Sequence, residues 1–177
     1  MEAGILLSIH AHARPGFDRL FLLSHDLGTF WLCAPLVLVM AFWHFGRGEK
    51  GQARLWLLVG LSTYALQELV KRLVDRPRPE LWPRLVNESS FSFPSGHALA
   101  SASLLPLLAY DLTRTKPRAV RVGAMTTAAA LSLLIGVGRL YLGVHWPSDV
   151  AAGWAIGAAQ ALVAIRRLGR VPSKGPE

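Results

Sequence analysis

Long apolar runs, separated by short polar segments, dominate the hydrophobic pattern of this chain. Five runs approach the roughly 17 to 25 residues that cross the hydrocarbon core of a bilayer. They are Thr29 to Phe45, Leu55 to Val70, His97 to Tyr110, Val122 to Val137 and Val150 to Ile165. The second and third runs are short and need an uncharged or interfacial extension. The pattern predicts an all-α protein, a polytopic transmembrane helical bundle of five to six membrane helices.

The stretch from Gly4 to Leu23 does not follow this pattern. Two histidines, Arg14 and Pro15 interrupt its apolar residues, and it lacks the basic start and continuous apolar centre of a cleaved signal peptide. We therefore expect residues 1–28 to form an interfacial helix or an irregular first membrane helix. Residues 166–177 are expected to form a cytoplasmic tail, and the whole chain, 1–177, a single integral membrane domain.

The composition supports lipid as the main solvent of the protein. Of its 177 residues, 52% are hydrophobic and 17% are charged, which suits one compact membrane domain. The net charge of +8 is spread over the ends of the apolar runs, so we expect a bilayer and no nucleic acid as partner. The single cysteine, Cys33, excludes an intrachain disulfide and is expected to be a small buried residue.

Loop charges predict how the chain is oriented. Segments 46–54 and 111–121 and the residues after Ile165 carry more Lys and Arg than Asp and Glu. With five spans these three segments lie on the same side, which the positive-inside bias makes cytoplasmic. The segments left for the outer face are 71–96 and 138–149. Segment 71–96 is also basic, which breaks the rule unless its cations have another task.

These two outer segments contain three polar clusters. In the first, Arg76 and Arg78 alternate with prolines that keep the segment extended, which suits a guanidinium pair that holds a phosphate. One of the two arginines could instead be only a membrane-surface anchor. In the second, Ser95 is expected to cap a helix, and Gly96 permits close backbone approach. A helix N-terminus also binds anions, and His97 adds a donor to it.

The third cluster pairs a histidine with a carboxylate. His145 stands just before Pro147, which is expected to start a helix with Asp149 in its first turn. The carboxylate can hold one imidazole N–H, fix the tautomer and make the other nitrogen a better nucleophile.

Combined around one helix N-terminus, the clusters indicate phosphoryl transfer. One imidazole would attack phosphorus while the other protonates the leaving oxygen. Three cations would stabilise the charge of the transition state; they are Lys71, Arg78 and Arg139. A zinc site made of His97, His145 and Asp149 is the alternative, which the small number of acids disfavours.

The clusters resemble the motifs of the type 2 phosphatidic acid phosphatase (PAP2) superfamily of membrane lipid phosphatases, K-x6-RP, PSGH and SR-x5-H-x3-D. The matching residues are Lys71 with Arg78 and Pro79, then Pro94 to His97, then Arg139, His145 and Asp149. Gly138 stands where the family has a serine, so only a backbone contact is expected there. The resemblance extends from about the second apolar run to the last.

This resemblance implies a role for each matching residue. His145 would be the nucleophile that forms a phosphohistidine, Asp149 its orienter and His97 the general acid. The substrate phosphate would be bound by Lys71, Arg78, Ser95, Gly96 and Arg139. The family also implies hydrolysis with no cofactor and no metal.

A membrane phosphatase of this kind would act on a lipid phosphate or diphosphate. We expect undecaprenyl diphosphate or a glycerophospholipid phosphate, with lipid A 1-phosphate as the alternative. The active site would face the extracytoplasmic side of a bacterial cytoplasmic membrane, and phosphate binding would explain the basic excess of segment 71–96.

Two other functions fit the sequence less well. Five spans argue against a vanadate-dependent haloperoxidase, because those relatives are soluble. A non-catalytic lipid-phosphate binding or transport protein would not need both His97 and His145. Six further polar residues are expected to be structural or interfacial; they are Glu68, Arg72, Asp75, Arg76, His10 and His12.

Overall fold

The structure, a computed structural model, describes residues 1–170, and every regular element in that range is a helix. The helices are α1 (Glu2–His10), α2 (Pro15–Leu27), α3 (Phe30–Gly46), α4 (Lys50–Val74), α5 (Gly96–Thr113), α6 (Arg118–Tyr141) and α7 (Pro147–Leu168). The predicted all-α class is confirmed for this range. Of the predicted tail 166–177, the part from residue 171 onwards lies outside the described residues.

Helix α4 extends well beyond the apolar run that predicted it. It begins at Lys50 and ends at Val74, because charged residues continue a helix at either end of its apolar middle. Asp75 ends the helix in the left-handed region with a φ of 49°. This turn leads the chain into the extended arginine-proline segment, and residues 75–95 contain no helix. The prediction that this segment forms no helix is therefore confirmed.

Helix α5 lies at the centre of the bundle, where it contacts α4, α6 and α7. Small residues let α7 approach closely. A Cβ added to Gly153 would lie 2.6 Å from the carbonyl oxygen of Ser95, and one added to Gly157 would lie 2.3 Å from that of Leu99. Glycine at these two positions therefore permits the close approach of α5 and α7.

Within residues 1–170, two helices, α6 and α7, are long and apolar enough to cross a membrane. The pair α2 and α3, bent by 45°, makes a third if it forms one span. The prediction of five to six spans is thus supported for two to three. Helix α5 carries buried serines and Asp111 because its neighbours, and not lipid, cover most of its surface. Large apolar side chains such as Phe42 and Leu61 point outwards from α3 and α4.

The N-terminal region contains two short helices. Helix α2 begins at Pro15, in agreement with the preference of proline for the first turn of a helix. It packs on the C-terminal end of α6, where the Tyr141 hydroxyl donates to Asp18 at 2.6 Å and accepts from the Arg14 N–H at 3.0 Å. This contact places α2 at the end of the bundle that holds the three sequence motifs.

A buried ionic cluster joins α3, α4 and α5 at the other end of the bundle. His44 is fully buried, and its two ring nitrogens each lie 2.6 Å from a carboxylate oxygen, of Glu49 and of Asp111. The Trp56 indole N–H donates to Asp111 at 2.8 Å, and Arg114 lies 3.5 Å from the same carboxylate. This cluster, His44 to Arg114, was not predicted from the sequence.

Candidate active site

The three polar clusters meet at one end of the bundle. Lys71 lies in the last turn of α4, α5 begins with Gly96 and His97, α6 ends near Arg139, and His145 precedes α7. The antiparallel arrangement of neighbouring helices brings these helix ends together, although Lys71 and Asp149 are 78 positions apart in the sequence. Lys71, Arg78, Gly96, His97 and His145 all line one cavity.

His145 is buried, and each of its ring nitrogens contacts a neighbouring side chain. Its Nε2 lies 3.1 Å from Nη1 of Arg78, which donates to it, and its Nδ1 lies 3.5 Å from Asp149 Oδ2. The proton therefore sits on Nδ1. Burial, together with the charges of Arg139 and Arg78, lowers the pKa of His145 to about 4, so the imidazole is neutral near pH 7. Nε2 can act as a nucleophile.

Asp149 is held by three hydrogen bonds. Arg76 donates to its Oδ1 at 2.7 Å, while Ser92 Oγ at 2.5 Å and the Trp146 N–H at 2.8 Å donate to its Oδ2. The bond from Trp146 caps α7, which begins at Pro147 as predicted. Arg76 is therefore neither a surface anchor nor a phosphate ligand, but a partner of the carboxylate that faces His145.

Arg78 is held in place by two backbone carbonyl groups from distant parts of the chain. Its Nε donates to the Ser90 carbonyl at 2.7 Å, and its Nη1 donates to the Val144 carbonyl at 2.8 Å. Lys71 donates to the Ser90 hydroxyl at 2.8 Å. Burial lowers the pKa of Arg78, and the neighbouring Glu88 opposes that shift. Ser90 is thus a shared partner of Lys71 of α4 and Arg78 of the extended segment, and both cations line the cavity with His145.

The N-terminus of α5 is built as predicted from Ser95 and Gly96. The Ser95 hydroxyl accepts from the Ala98 N–H at 3.5 Å, which confirms the cap. A Cβ on Gly96 would lie 2.1 Å from the Gln67 side chain of α4, so a larger residue there would require the Gln67 side chain to move. His97 Nε2 is buried and has no hydrogen-bond partner among residues 1–170. This nitrogen is available for a substrate.

Sequence reasoning missed two residues beside Arg139. His25 of α2 stacks on His97 with ring centroids 4.9 Å apart, and its Nδ1 accepts from Arg139. Glu88 accepts from Arg139 Nη2 and lies 3.5 Å from Arg78 Nη2. Segment 71–96 holds three acids beside five cations, and nothing in the sequence singled out Glu88 among the three. Nothing in the sequence indicated that His25 would reach this site.

Gly138, which replaces the family serine, lies against α2. A Cβ added there would lie 2.6 Å from the Ser24 hydroxyl. The space of a serine side chain at position 138 is thus taken by α2, whose Ser24 hydroxyl donates to the Phe21 carbonyl.

A cavity of about 630 Å³ runs from the charged residues into the bundle. Its polar end is formed by Lys71, Arg78, Glu88, His97 and His145. The rest is bounded by apolar residues of α3, α4 and α5; they include Cys33, Val37, Leu38, Leu57, Leu61 and Leu104. Cys33 is partly buried at this wall.

The donor set does not suit a metal ion. Ligand atoms of His25, Glu88 and His97 lie within 4.8 Å of one another. However, Arg139 donates to both His25 and Glu88, so a divalent cation there would meet a guanidinium charge. In the alternative zinc set, Asp149 already accepts three hydrogen bonds.

Comparison with protein families matches residues 52–171 to the PAP2 superfamily. This chain belongs to the PAP2 superfamily. The membership agrees with the resemblance of the three motifs, and the matched range includes all of them.

Individual relatives are similar over part of their length. Phosphatidylglycerophosphatase B of Bacillus subtilis is 35% identical over 133 residues, 74% of this chain and 65% of that protein. Undecaprenyl-diphosphatase of Sulfolobus acidocaldarius is 33% identical over 116 residues, 66% of this chain and 49% of that protein. The matched region therefore spans less than two thirds of each of these relatives.

Two solved structures share the fold. The transmembrane PAP2 type phosphatidylglycerolphosphate phosphatase from Bacillus subtilis superposes with a TM-score of 0.87 at 26% identity, over 98% of this chain and 87% of that one. Aquifex aeolicus LpxE superposes with a TM-score of 0.71 at 22% identity, over 93% of this chain and 94% of that one, and shows the fold alone.

Proposed function

We propose that this PAP2 protein is an integral membrane lipid phosphatase that works through a phosphohistidine at His145. One observation carries the proposal: His145 Nε2 faces Arg78 at 3.1 Å, with Asp149 behind the ring, at the polar end of an otherwise apolar cavity. A phosphate bound by Arg78 would lie against the unprotonated nitrogen. The apolar cavity would accept the hydrocarbon part of the same molecule.

In the first step, a bond forms between His145 Nε2 and phosphorus while the bond from phosphorus to the leaving oxygen breaks. The proton for that oxygen comes from His97, whose Nε2 has no other partner in the described chain. Asp149 holds the Nδ1 proton of His145 and stabilises the positive charge that develops on its ring. Lys71, Arg78 and Arg139 stabilise the equatorial oxygens.

In the second step, water attacks the phosphohistidine. His97, now neutral, accepts a proton from that water, the bond between phosphorus and Nε2 breaks, and inorganic phosphate leaves. Both steps use only this chain's residues and water. No metal or other cofactor takes part.

The substrate is a lipid that bears a terminal phosphate or diphosphate. Undecaprenyl diphosphate and a glycerophospholipid phosphate are the two leading candidates, with lipid A 1-phosphate as the alternative. The names of the two relatives, a phosphatidylglycerophosphatase and an undecaprenyl-diphosphatase, support the first pair.

The protein resides in the bacterial cytoplasmic membrane with five to six spans and its site on the extracytoplasmic face. The basic connections between α3 and α4 and between α5 and α6 lie at the end of the bundle opposite to the site. The positive-inside bias makes that opposite end cytoplasmic.

The test is phosphate release by the purified protein in detergent from each of the candidate lipids at equal concentration. His145→Ala should lower the rate at least about a thousandfold, because the covalent and proton-transfer steps are lost. His12→Ala, which changes an exposed histidine, should leave it unchanged. Activity of His145→Ala within about tenfold of wild type would refute the assigned nucleophile.

A chelator in excess should leave the activity intact. A loss that zinc restores would favour a metal site. If no lipid is hydrolysed although phosphate binds, the non-catalytic binding or transport function would replace the proposal.

A further inference from the structure

The ring of His97 is held in a different way from that of His145. Each ring nitrogen of His145 contacts a side chain, whereas Nε2 of His97 is buried and has no hydrogen-bond partner among residues 1–170. To deliver a proton, this nitrogen must come within about 2.6 to 3.2 Å of the leaving oxygen. Without a bond at this nitrogen, the ring is held by what packs against it.

The C-terminal end of α2 packs against this ring. The imidazole of His25 stacks on that of His97, with ring centroids 4.9 Å apart and ring planes inclined by 20°. This geometry is that of an offset-stacked aromatic pair. Gly28 follows the last residue of α2, and a Cβ added to it would lie 2.6 Å from Cδ2 of His97. His25 and Gly28 thus bound the place that the His97 ring occupies on two sides.

His25 also contacts a residue of the phosphate site. A guanidinium group has only donors, so Nη1 of Arg139 donates to Nδ1 of His25. Nδ1 therefore carries no proton, and the ring of His25 is neutral with its proton on Nε2. Arg139 is fully buried, and its Nη2 donates to Glu88. Among residues 1–170, His25 is thus one of the two side chains that accept from this guanidinium group.

Helix α2 is anchored to α6, so the position of His25 is well defined. Near the start of α2, Tyr141 of α6 donates to Asp18 at 2.6 Å, and near its end Ser24 is buried against Gly138. The family match covers residues 52–171, so the three motifs contain no residue of α2. His25 is therefore a contribution of this chain that the motifs do not specify.

We propose that His25 is a positioning residue for the phosphatase reaction: its ring holds the general acid His97 by stacking, and its Nδ1 holds the phosphate ligand Arg139. The inference rests on the proposed function. The stack directs the proton of His97 to the leaving oxygen, whereas the bond to Arg139 directs positive charge to the phosphate oxygens. No proton passes through His25 itself.

Two small esters separate these contributions. The alcohol that leaves benzyl phosphate needs a proton as it departs, whereas the p-nitrophenolate that leaves p-nitrophenyl phosphate is stable as an anion. Poor proton delivery therefore slows only the first ester. The quantity to measure is kcat/KM for each ester with the purified protein in detergent, since it excludes the later hydrolysis of the phosphohistidine. Partial unfolding lowers both values equally and leaves their ratio unchanged.

The substitution His25→Asn removes the ring but keeps an oxygen acceptor at the same distance along the side chain as Nδ1. The ratio of kcat/KM, benzyl over p-nitrophenyl phosphate, should fall by about ten- to a hundredfold, because a misplaced acid loses much of the usual factor of about 10² to 10⁴. His97→Asn, which lacks the acid, shows how far the ratio can fall.

The substitution His25→Phe keeps a flat ring but removes the acceptor. Both kcat/KM values should fall together by about tenfold, the order of one hydrogen bond to a charged group, and the ratio should stay at the wild-type value. His12→Asn is the matched control, the same change at an exposed histidine of the N-terminal region. It should leave both values and their ratio unchanged.

A ratio for His25→Asn within about twofold of the wild-type ratio would overturn the inference, as would a ratio for His25→Phe that falls as far as that for His25→Asn. Wild-type values for both esters in His25→Phe would overturn the role at Arg139. If His25→Asn does not fold, Gly28→Ala replaces it, because the added Cβ displaces the same His97 ring. An unchanged ratio there would show that α2 does not position the acid.

Failure of the proposed function looks different. A wild type that hydrolyses both small esters but none of the candidate lipids would overturn the lipid substrate alone, and the ratios would still decide the role of His25. A wild type that hydrolyses neither ester and no lipid would overturn the proposed phosphatase function, and this inference with it.

Discussion

His145 is surrounded by groups that oppose its protonation. It is buried, and Arg78 donates to its Nε2, so a proton could bind there only by breaking that bond. The pKa of about 4 lies below the ordinary value of 6.5. In the folded protein the ring stays neutral from neutral pH down to about pH 4, whereas the unfolded chain would take up a proton near pH 6.5. This residue therefore contributes less stability as the pH falls through that window.

This shift can be measured directly. In ¹⁵N-histidine NMR spectra of the detergent-solubilised protein, the resonance missing in His145→Gln should keep the neutral form at pH 5 and titrate near pH 4. A His145 resonance that titrates near pH 6.5 would contradict the role of burial.

The residues that the sequence identified are those whose chemistry depends on short spacings. Ser95 caps α5, and Asp149 lies in the first turn of α7 near His145. In each case four or fewer positions separate the residues concerned. Arg76, Ser92 and Glu88 were not assigned to the site, since their partners come from distant helices. Their roles depend on the path of segment 75–95, and hydrophobic periodicity does not determine the path of a segment without regular structure.

Close packing of two helices on either side of the site depends on glycine. Alanine at position 157 of α7 would place its Cβ 2.3 Å from the Leu99 carbonyl of α5, and a backbone atom cannot rotate away. We expect Gly157→Ala to destabilise the protein by about 1 to 3 kcal/mol, the usual range for overpacking. Thermal unfolding in detergent measures this effect.

Gly123 of α6 provides the contrast. An added Cβ there meets nothing within 4 Å, so Gly123→Ala should leave stability unchanged or raise it by about 0.5 to 1 kcal/mol through helix propensity. Equal melting temperatures for the two alanine variants would show that the contact between α5 and α7 is looser than described.

At this scale the sequence predicted the existence of the helices better than their ends. The five apolar runs correspond to α3 through α7. Helix α4 is longer than the apolar run that predicted it. The apolar pattern indicates which part of a helix lipid or protein covers, and the backbone hydrogen bonds continue beyond that part. The break between α1 and α2 follows from Pro15, whose position in the first turn the sequence could indicate.

The two ends of the whole molecule have different polar interiors. In the described chain, the site end holds buried nitrogens of His97 and Arg139 without a partner, whereas at the other end each ring nitrogen of His44 contacts a carboxylate, and Arg114 adds a further charge. Such a cluster unites α3, α4 and α5 by charge where their apolar packing stops. His44 and Asp111 are 67 positions apart in the sequence, so only the fold shows that they belong to one cluster.

Removal of His44 should therefore weaken the fold but not the chemistry. His44→Ala removes the side chain that Glu49 and Asp111 both contact, and we expect a loss of about 1 to 3 kcal/mol, the cost of leaving buried polar groups without a partner. Thermal unfolding should show this loss, while the rate per folded molecule at low temperature stays near the wild-type rate. A normal melting temperature would mean that the cluster contributes little.

The apolar cavity between α3, α4 and α5 also determines which concentration matters for catalysis. Exposed Leu38, Leu61 and Tyr64 form part of its outer margin, so a lipid would enter from within its own layer and not from water. The rate should then follow the mole fraction of substrate in the micelle. Addition of empty detergent micelles at constant total substrate should slow the reaction, as surface dilution separates the enzyme from its lipid.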